Sequence, residues 1–502
     1  MPSKLMSSAG KENPIPWRNK MRPTQNLAFH PTPLAGMIIL LAAVVVLSPA
    51  LQAQSGTEGL NTIYGSTTTI QPSASFIDAR LYTASADLCS ALNTIINSIP
   101  GVGAVIDARG VTGTALNCAS TPWSTAPGTG SFANVTILLP SGTITIRSPW
   151  YLPSNSRIIG EGPGATILQA CKTTTPGCNS TAFSGTAMIS MTAGNDNINL
   201  AWGCGGGFIC FAVSAADLTL DAQSLAIDGV DNFNAEEQSY VQHVSMVNIG
   251  GVGLKLSADA TSGSSGTSSH SGPYTDITIG VTSTATACVR VLTIATQSAE
   301  PRGIHGLSCT CLNTNGTVCT TNSNAGIYLD GNNVTLQDVF VNGFTDGVMI
   351  GDQASASTPV HSNVVVNISG GTNVTNLVHI HKPSDLANAQ VGESGGFTIL
   401  GATSAANNTI VDDLTGTTLT NATNANIGMY VLGDPLGNFS GYPSGYTRFT
   451  TSATLPTWFV GNATVTGSCS VASGSLYSNT AGTNGGNSTL YACASGQWAN
   501  LK

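Results

Sequence analysis

The sequence predicts an all-β solenoid, a parallel β-helix, on three observations. A short apolar–outward–apolar pattern recurs at a nearly constant step, a second such set is interleaved with it, and almost nothing in the chain has a helical period. The first set comprises Asp217-Leu218-Thr219-Leu220, His243-Val244-Ser245-Met246, Asp276-Ile277-Thr278-Ile279 and Gly306-Leu307-Ser308-Cys309. It continues with Asp338-Val339-Phe340-Val341, Asn363-Val364-Val365-Val366 and Gly396-Phe397-Thr398-Ile399, in steps of 26, 33, 30, 32, 25 and 33 residues. The second set is Gly253-Leu254-Lys255-Leu256, Cys288-Val289-Arg290-Val291, Gly326-Ile327-Tyr328-Leu329, Gly347-Val348-Met349-Ile350 and Leu377-Val378-His379-Ile380. Two short strands per ~30 residues make a coil that cannot bury its own apolar face, so each must rest on the coils above and below. Parallel strands need long crossovers, and a coil of that length supplies one without a helix.

From the N-terminus, Lys4, Lys11, Arg18, Lys20 and Arg22 precede an uncharged stretch from Leu34 to Leu47. Small residues follow at Ser48 to Ala53, the pattern of an export signal with cleavage before Gln54. Residues 1–53 are therefore expected to direct the protein to secretion or the cell envelope, with an uncleaved anchor the alternative. The whole chain has a net charge of −9, and five of its 16 basic residues lie in this segment, against one of its 25 acidic ones. The remainder is acidic, which argues against nucleic acid as a partner. Only 8% of residues are charged while 41% are hydrophobic, so the surface must be built from hydroxyls and amides. Export makes the twelve cysteines candidates for disulfides. Cys171–Cys178, Cys204–Cys210, Cys469–Cys493 and Cys89–Cys118 are the close pairs, and Cys288, Cys309, Cys311 and Cys319 allow three connectivities.

Residues 54–85 read as an extended lead-in. Ala86 to Ile99 places Leu88, Leu92, Ile95, Ile96 and Ile99 on one helical face, with Asp87 at its start and Pro100-Gly101 beyond its end. Such a helix would cover the open apolar end of the first coil. Ala104 to Arg109 reads as the first strand. Ile137 to Ile146 with its Pro140-Ser141-Gly142-Thr143 turn, and Gly160-Glu161-Gly162 leading to Ala165-Thr166-Ile167-Leu168, complete the opening coils.

With the helix and first strand, these motifs resemble the N-terminal part of the pectate-lyase superfamily. The resemblance implies a right-handed parallel β-helix, specific from about 86 to 170 and generic to about 415. That fold hosts lyases, hydrolases, epimerases, tailspikes and adhesins, so it implies extracellular polysaccharide only as a class. The helix body is expected over 86–430. A C-terminal cap with a disulfide-locked hairpin at Ser475–Asn479 and Thr489–Cys493 is expected over 431–502.

Outward positions of the second set form one column: Lys255, Arg290, Tyr328, Met349 and His379. Two residues further on lie Ser257, Leu292, Asp330, Gly351 and His381. Cation, aromatic, carboxylate and imidazole along a groove suit a polysaccharide, the ring stacking on a sugar and the polar groups bonding hydroxyls. Lys255, Arg290, Tyr328, His379 and His381 are thus the candidate substrate-binding residues. Phe344-Thr345-Asp346-Gly347-Val348-Met349-Ile350 resembles an "N-T-D-G-I-D" strand of polygalacturonases. Thr345, Asp346 and Gly347 match, Phe344 and Met349 depart, and the paired Asp of the next coil is absent. The resemblance implies an acid role for Asp346, and Asp330 is the second candidate catalytic carboxylate. The column Asp217, His243, Asp276, Asp338 and Asn363 reads as structural, because Asp and Asn satisfy backbone at turns. Asp228 to Glu237 is the densest acidic string and reads as a solvated loop that does not match an EF-hand. No metal or cofactor is expected, calcium being the one ion that string leaves open. The competing function is a non-catalytic surface or adhesion protein whose solenoid is a rigid spacer.

Overall fold

The computed structural model describes residues 76–413 apart from 84–86, 100–102, 124–133, 175–177, 179–181, 192–209, 234, 258–269, 295–296, 321, 353–359, 361 and 382–396. Beyond 413 it describes 417–420, 427–432, 447–448, 458–461, 468–469, 476–479 and 490–501. The export segment, most of the lead-in, Cys204 and much of the expected cap over 431–502 lie outside these residues. Among the described residues no helix is long and apolar enough to cross a membrane.

The chain is a parallel β-helix. One sheet runs through twelve successive strands from Phe76–Asp78 to Ile427–Leu432, with three further strands paired alongside. A second sheet of ten strands runs from Trp150–Tyr151 to Thr417–Thr420. From Ser214–Asp221 onward the two alternate along the chain, so each of these coils gives one strand to each sheet.

One expectation shifts by one element. A strand at Phe76–Asp78 precedes the helix and pairs in parallel with Ala104–Asp107, so Ala104 opens the second rung, not the first. The helix spans Leu88–Ser98, and the Asp87 carboxylate accepts from Ser90 N–H to satisfy one orphan donor of its first turn. Leu88, Leu92, Ile95 and Ile96 are buried and continuous with the solenoid core.

From Ser214–Asp221 to Phe397–Ser404 the strands of the first sheet are seven to ten residues long and bend within their length, and the bend has one cause. Asp217, His243, Asp276, Gly306, Asp338, Asn367 and Gly401 all have φ between 50° and 66°, and each precedes the mutually paired Leu218, Val244, Ile277, Leu307, Val339, Ile368 and Ala402. Left-handed backbone strains any residue with a Cβ, and Gly, Asn and Asp tolerate it best. The column is therefore structural, as its composition implied, but Asn363 is not a member. Asn367 and Gly401 are members, and the last two steps are 29 and 34 residues. Side chains bond along the column: Asn367 Nδ2 donates to Asp338 Oδ1 (2.6 Å), and His243 Nδ1 lies 2.7 Å from Asp217 Oδ1. Asn363 serves a different turn. It accepts from Val334 N–H and donates to the Gly331 carbonyl, both at 2.9 Å.

Inside, Val230, Leu254, Val289, Ile327, Val348, Val378 and Ile410 stack in register on the second sheet with no exposure. Each contributes roughly 1.5–3 kcal/mol by burial. The glycines that open those strands answer to space. A Cβ at Gly347 would sit 2.5 Å from the Leu377 carbonyl oxygen, and one at Gly253 equally close to Ile279 Cγ2.

Disulfides join Cys89–Cys118, Cys171–Cys178 and Cys469–Cys493, and the open foursome resolves to Cys288–Cys309 and Cys311–Cys319. At the far end both sheets finish with an antiparallel strand, Ile427–Leu432 on the first and Thr417–Thr420 on the second. These cover edges that would otherwise offer unpaired backbone. A separate five-stranded sheet holds Leu476–Asn479, Leu490–Ala494 and Gln497–Leu501. Tyr477 packs there between Tyr491 and Trp498 at ring distances of 6.0 and 6.1 Å.

The left-handed column yields a stability prediction. Asp338→Val should cost about 1–2 kcal/mol, because a β-branched residue is forced into φ near 54°, whereas Asp338→Gly should cost far less. Denaturant midpoints of the two variants check this, and equal losses would contradict it.

Candidate functional site

Alternation along a strand and register between strands together decide which side chains meet on the outer face. On the second sheet the register runs Asp231, Lys255, Arg290, Tyr328, Met349, His379 and Val411, one residue per coil. The column expected from the sequence is thus a continuous row. A neighbouring row, three residues towards the strand starts, holds Ala325, Asp346, Asn376 and Asn408.

At the first end of the row, Lys255 Nζ lies 3.1 Å from Asp231 Oδ2 and 3.7 Å from Asp228 Oδ2. This corrects the acidic string: Asp228–Asn232 is a strand of the sheet, not a solvated loop. Its two carboxylates meet the next coil's lysine, and the Val252 N–H donates to Asp228 Oδ1 (2.7 Å). Burial pushes both carboxyl groups above the usual range, more strongly than the ammonium pulls them down. Lys255 is held above its ordinary value, the two carboxylates outweighing its own loss of water.

In the middle, the Arg290 guanidinium lies 5.1 Å from the Tyr328 ring centroid, and its Nη2 is 3.9 Å from Asp352 Oδ2. Tyr328 is only 8% exposed, and its hydroxyl accepts from the Ala325 N–H at 3.1 Å. Its expected role as a sugar-stacking platform is corrected accordingly: the arginine covers the ring, and Met349 packs against it.

At the last end, His379 stands between two carboxylates from flanking coils. Its Nδ1 is 3.3 Å from Asp346 Oδ1 and its Nε2 is 2.9 Å from Asp413 Oδ2. The 3.3 Å contact has ion-pair distance without good hydrogen-bond direction, as Nδ1 finds no aligned acceptor. Asp346 above all, then Asp413, push the imidazolium up to about 9 against the opposing effect of burial. Asp346, 5% exposed, also accepts from Asn376 Nδ2 (2.7 Å), and Asn376 Oδ1 accepts from Asn408 Nδ2 (2.8 Å). His381 lies on the same strand face as His379, ring centroids 6.0 Å apart, with Nδ1 3.7 Å from Asp413 Oδ2.

Six of the seven predicted residues therefore lie on or beside one face. The exception is Asp330, which is enclosed at 0% exposure, so it is not a groove-lining group. Sequence reading missed Asp228, Asp231, Asp352, Asn376 and Asp413. The signal that could have found Asp413 is the spacing His379-x-His381, which on a strand sets two imidazoles on one side and asks what stands opposite them one coil on.

No family profile matches the chain, and no curated protein matches it. Solved structures resemble it at low identity. A Geobacillus virus E2 protein, ORF18, is 13% identical over 95% of this chain and 90% of its own, with a TM-score of 0.32. The Azotobacter vinelandii mannuronan C-5 epimerase AlgE4 A-module is 11% identical over 62% and 92%, with a TM-score of 0.29. The Streptococcus pneumoniae surface protein and adhesin PfbA is 8% identical over 61% and 80%, with a TM-score of 0.30.

Lys255 tests the electrostatics of the row. Lys255→Met strands two buried carboxylates, a change that costs about 3–5 kcal/mol in a closed site and about 2 kcal/mol here, where the lysine is 29% exposed. Without the ammonium both acids titrate higher still, so the folded variant binds protons that the unfolded chain does not. Its deficit should shrink as pH falls from 8 to 5. Thermal midpoints at the two pH values measure it, and a constant offset would refute the assignment.

Proposed function

We propose that this is an exported β-helix protein that binds extended extracellular polysaccharide along the outer face of its second sheet, between Lys255 and His381. The observation that carries the reading is the register-aligned row. Lys255, Arg290, Met349 and His379 lie on neighbouring coils, spaced at about 4.8 Å per strand. A linear ligand with repeating hydroxyl or carboxylate groups can meet such a row at several points at once, whereas a compact ligand meets one or two. Lys255, Arg290 and His381, which keep part of their surface in water, are able to donate to sugar oxygens. Five described disulfides support an oxidising compartment, and with it secretion or the cell envelope.

The proposal stops at binding. Asp330 is enclosed, and Asp346 is committed to Asn376 and His379, so neither offers the free carboxyl that glycoside cleavage needs. We expect the purified protein to retain one class of glycan from a plant, algal and bacterial panel, without new reducing ends or unsaturated uronate absorbance. Arg290→Ala should weaken that retention about tenfold, the loss of one charge-assisted hydrogen bond. New reducing ends that vanish in Asp346→Asn would show a hydrolase instead. No retention of any glycan would favour the rigid-spacer reading.

A further inference from the structure

Two groups of histidine, cysteine and carboxylate side chains among the described residues bring three potential metal-ligating atoms close together. One is Asp87, Cys89 and Cys118, and its cysteines are consumed in a disulfide. The other is His379, His381 and Asp413, whose donor atoms all lie within 4.8 Å of one another.

We propose that His379, His381 and Asp413 form a binding site for a zinc-class divalent transition metal, with an open coordination position facing solvent. Three features carry the assignment. First, the donor set is two imidazoles and one carboxylate, which suits zinc and its neighbours; calcium takes six to eight oxygens. Second, the spacing fits. Bonds of 2.0–2.2 Å to a tetrahedral ion hold donors about 3.3 Å apart. Here His379 Nε2 is 2.9 Å, and His381 Nδ1 3.7 Å, from the same Asp413 Oδ2. Small rotations of the half-exposed His381 and Asp413 side chains close the difference. Third, a supporting carboxylate stands in reach. Asp346 Oδ1 lies 3.3 Å from His379 Nδ1 but off the hydrogen-bond direction, and a small turn of the ring would align it to accept that N–H and leave the Nε2 lone pair for the metal. Asn376 holds Asp346, and Asn408 holds Asn376, each on a successive coil. A carboxylate fixed in this way is a positioning residue, which accounts for burying Asp346 beside an imidazole.

His381 is 35% and Asp413 40% exposed, so the fourth position is open to water or to an oxygen of a ligand lying on the row. The site stands independently of the polysaccharide reading, since its ligands and its test need no glycan.

The test is titration of the full chain, freed of metal by chelation, with zinc chloride against a chromophoric competitor. Cobalt(II) chloride serves in parallel as an optical probe. One zinc per chain is expected, with visible cobalt absorption of the intensity that low coordination gives. His381→Ala and Asp413→Ala should each weaken zinc at least tenfold. Asp346→Asn should weaken it about tenfold and shift the cobalt bands, a change that a purely structural role would not produce. Far-ultraviolet circular dichroism confirms that each variant keeps its strands. Absence of stoichiometric zinc, zinc affinity unchanged in both ligand variants, or equal competition by calcium would each overturn the proposal.

Discussion

The parallel register between coils is the constraint on which the rest of the structure depends. A strand that slips by one residue turns every inward side chain outward, so the register is held wherever one face is buried. In this chain it is held twice. The apolar stack from Val230 to Ile410 fills the inside of the second sheet, and the left-handed residues from Asp217 to Gly401 fix where each strand of the first sheet bends. Loops between coils vary in length without moving either column. The outer row from Asp231 to His379 follows from both, because positions that alternate with a locked inner stack are themselves locked. A surface made this way is rigid before any ligand arrives, which lowers the ordering cost that binding must overcome.

Charges are scarce in this protein, and those on the row are arranged along the solenoid axis. Lys255 reaches back one coil to Asp231 and Asp228, Arg290 lies near Asp352 from the turn after a later strand, and His379 bridges Asp346 and Asp413 on the coils either side. None of these pairs lies within a single strand. Each adds only a modest increment to coil stacking, since partial exposure weakens it. Their larger effect is orientation, because a side chain pinned by groups on two coils presents its remaining donors in one direction.

What the sequence made legible follows from the same geometry. The second set of strands could be aligned from sequence alone, because each is a single alternating run between turns and admits one register. The first set could not be aligned throughout. Its strands bend at the left-handed residue, and both halves alternate alike, so Asn363-Val364-Val365-Val366 imitates the true rung at Asn367-Ile368. The acidic string at Asp228 resembled a loop because nothing in it shows that Lys255, a coil away, neutralises it. Buried polar partners were hidden for the same reason. Asp346 looked like a free acid in a familiar motif, and its engagement with Asn376 is a fact of coil pitch, not of local sequence.

The last end of the row differs in kind from the first. Around Lys255 one cation faces two acids that burial makes reluctant to ionise, a balanced and self-contained arrangement. Around His379 the support is graded, running from Asn408 through Asn376 and Asp346 to an imidazole, and then to His381 and Asp413 at the surface. A structural ion pair does not need a relay of three oriented side chains behind it. Such a relay is useful when the outermost groups must hold one orientation while remaining open to something outside the chain. Stability alone would have been served better by apolar residues at these positions, since replacing buried polar clusters with well-packed apolar side chains is often neutral or favourable. The cost of keeping the cluster is therefore the physical reason to look for its use at this end of the row.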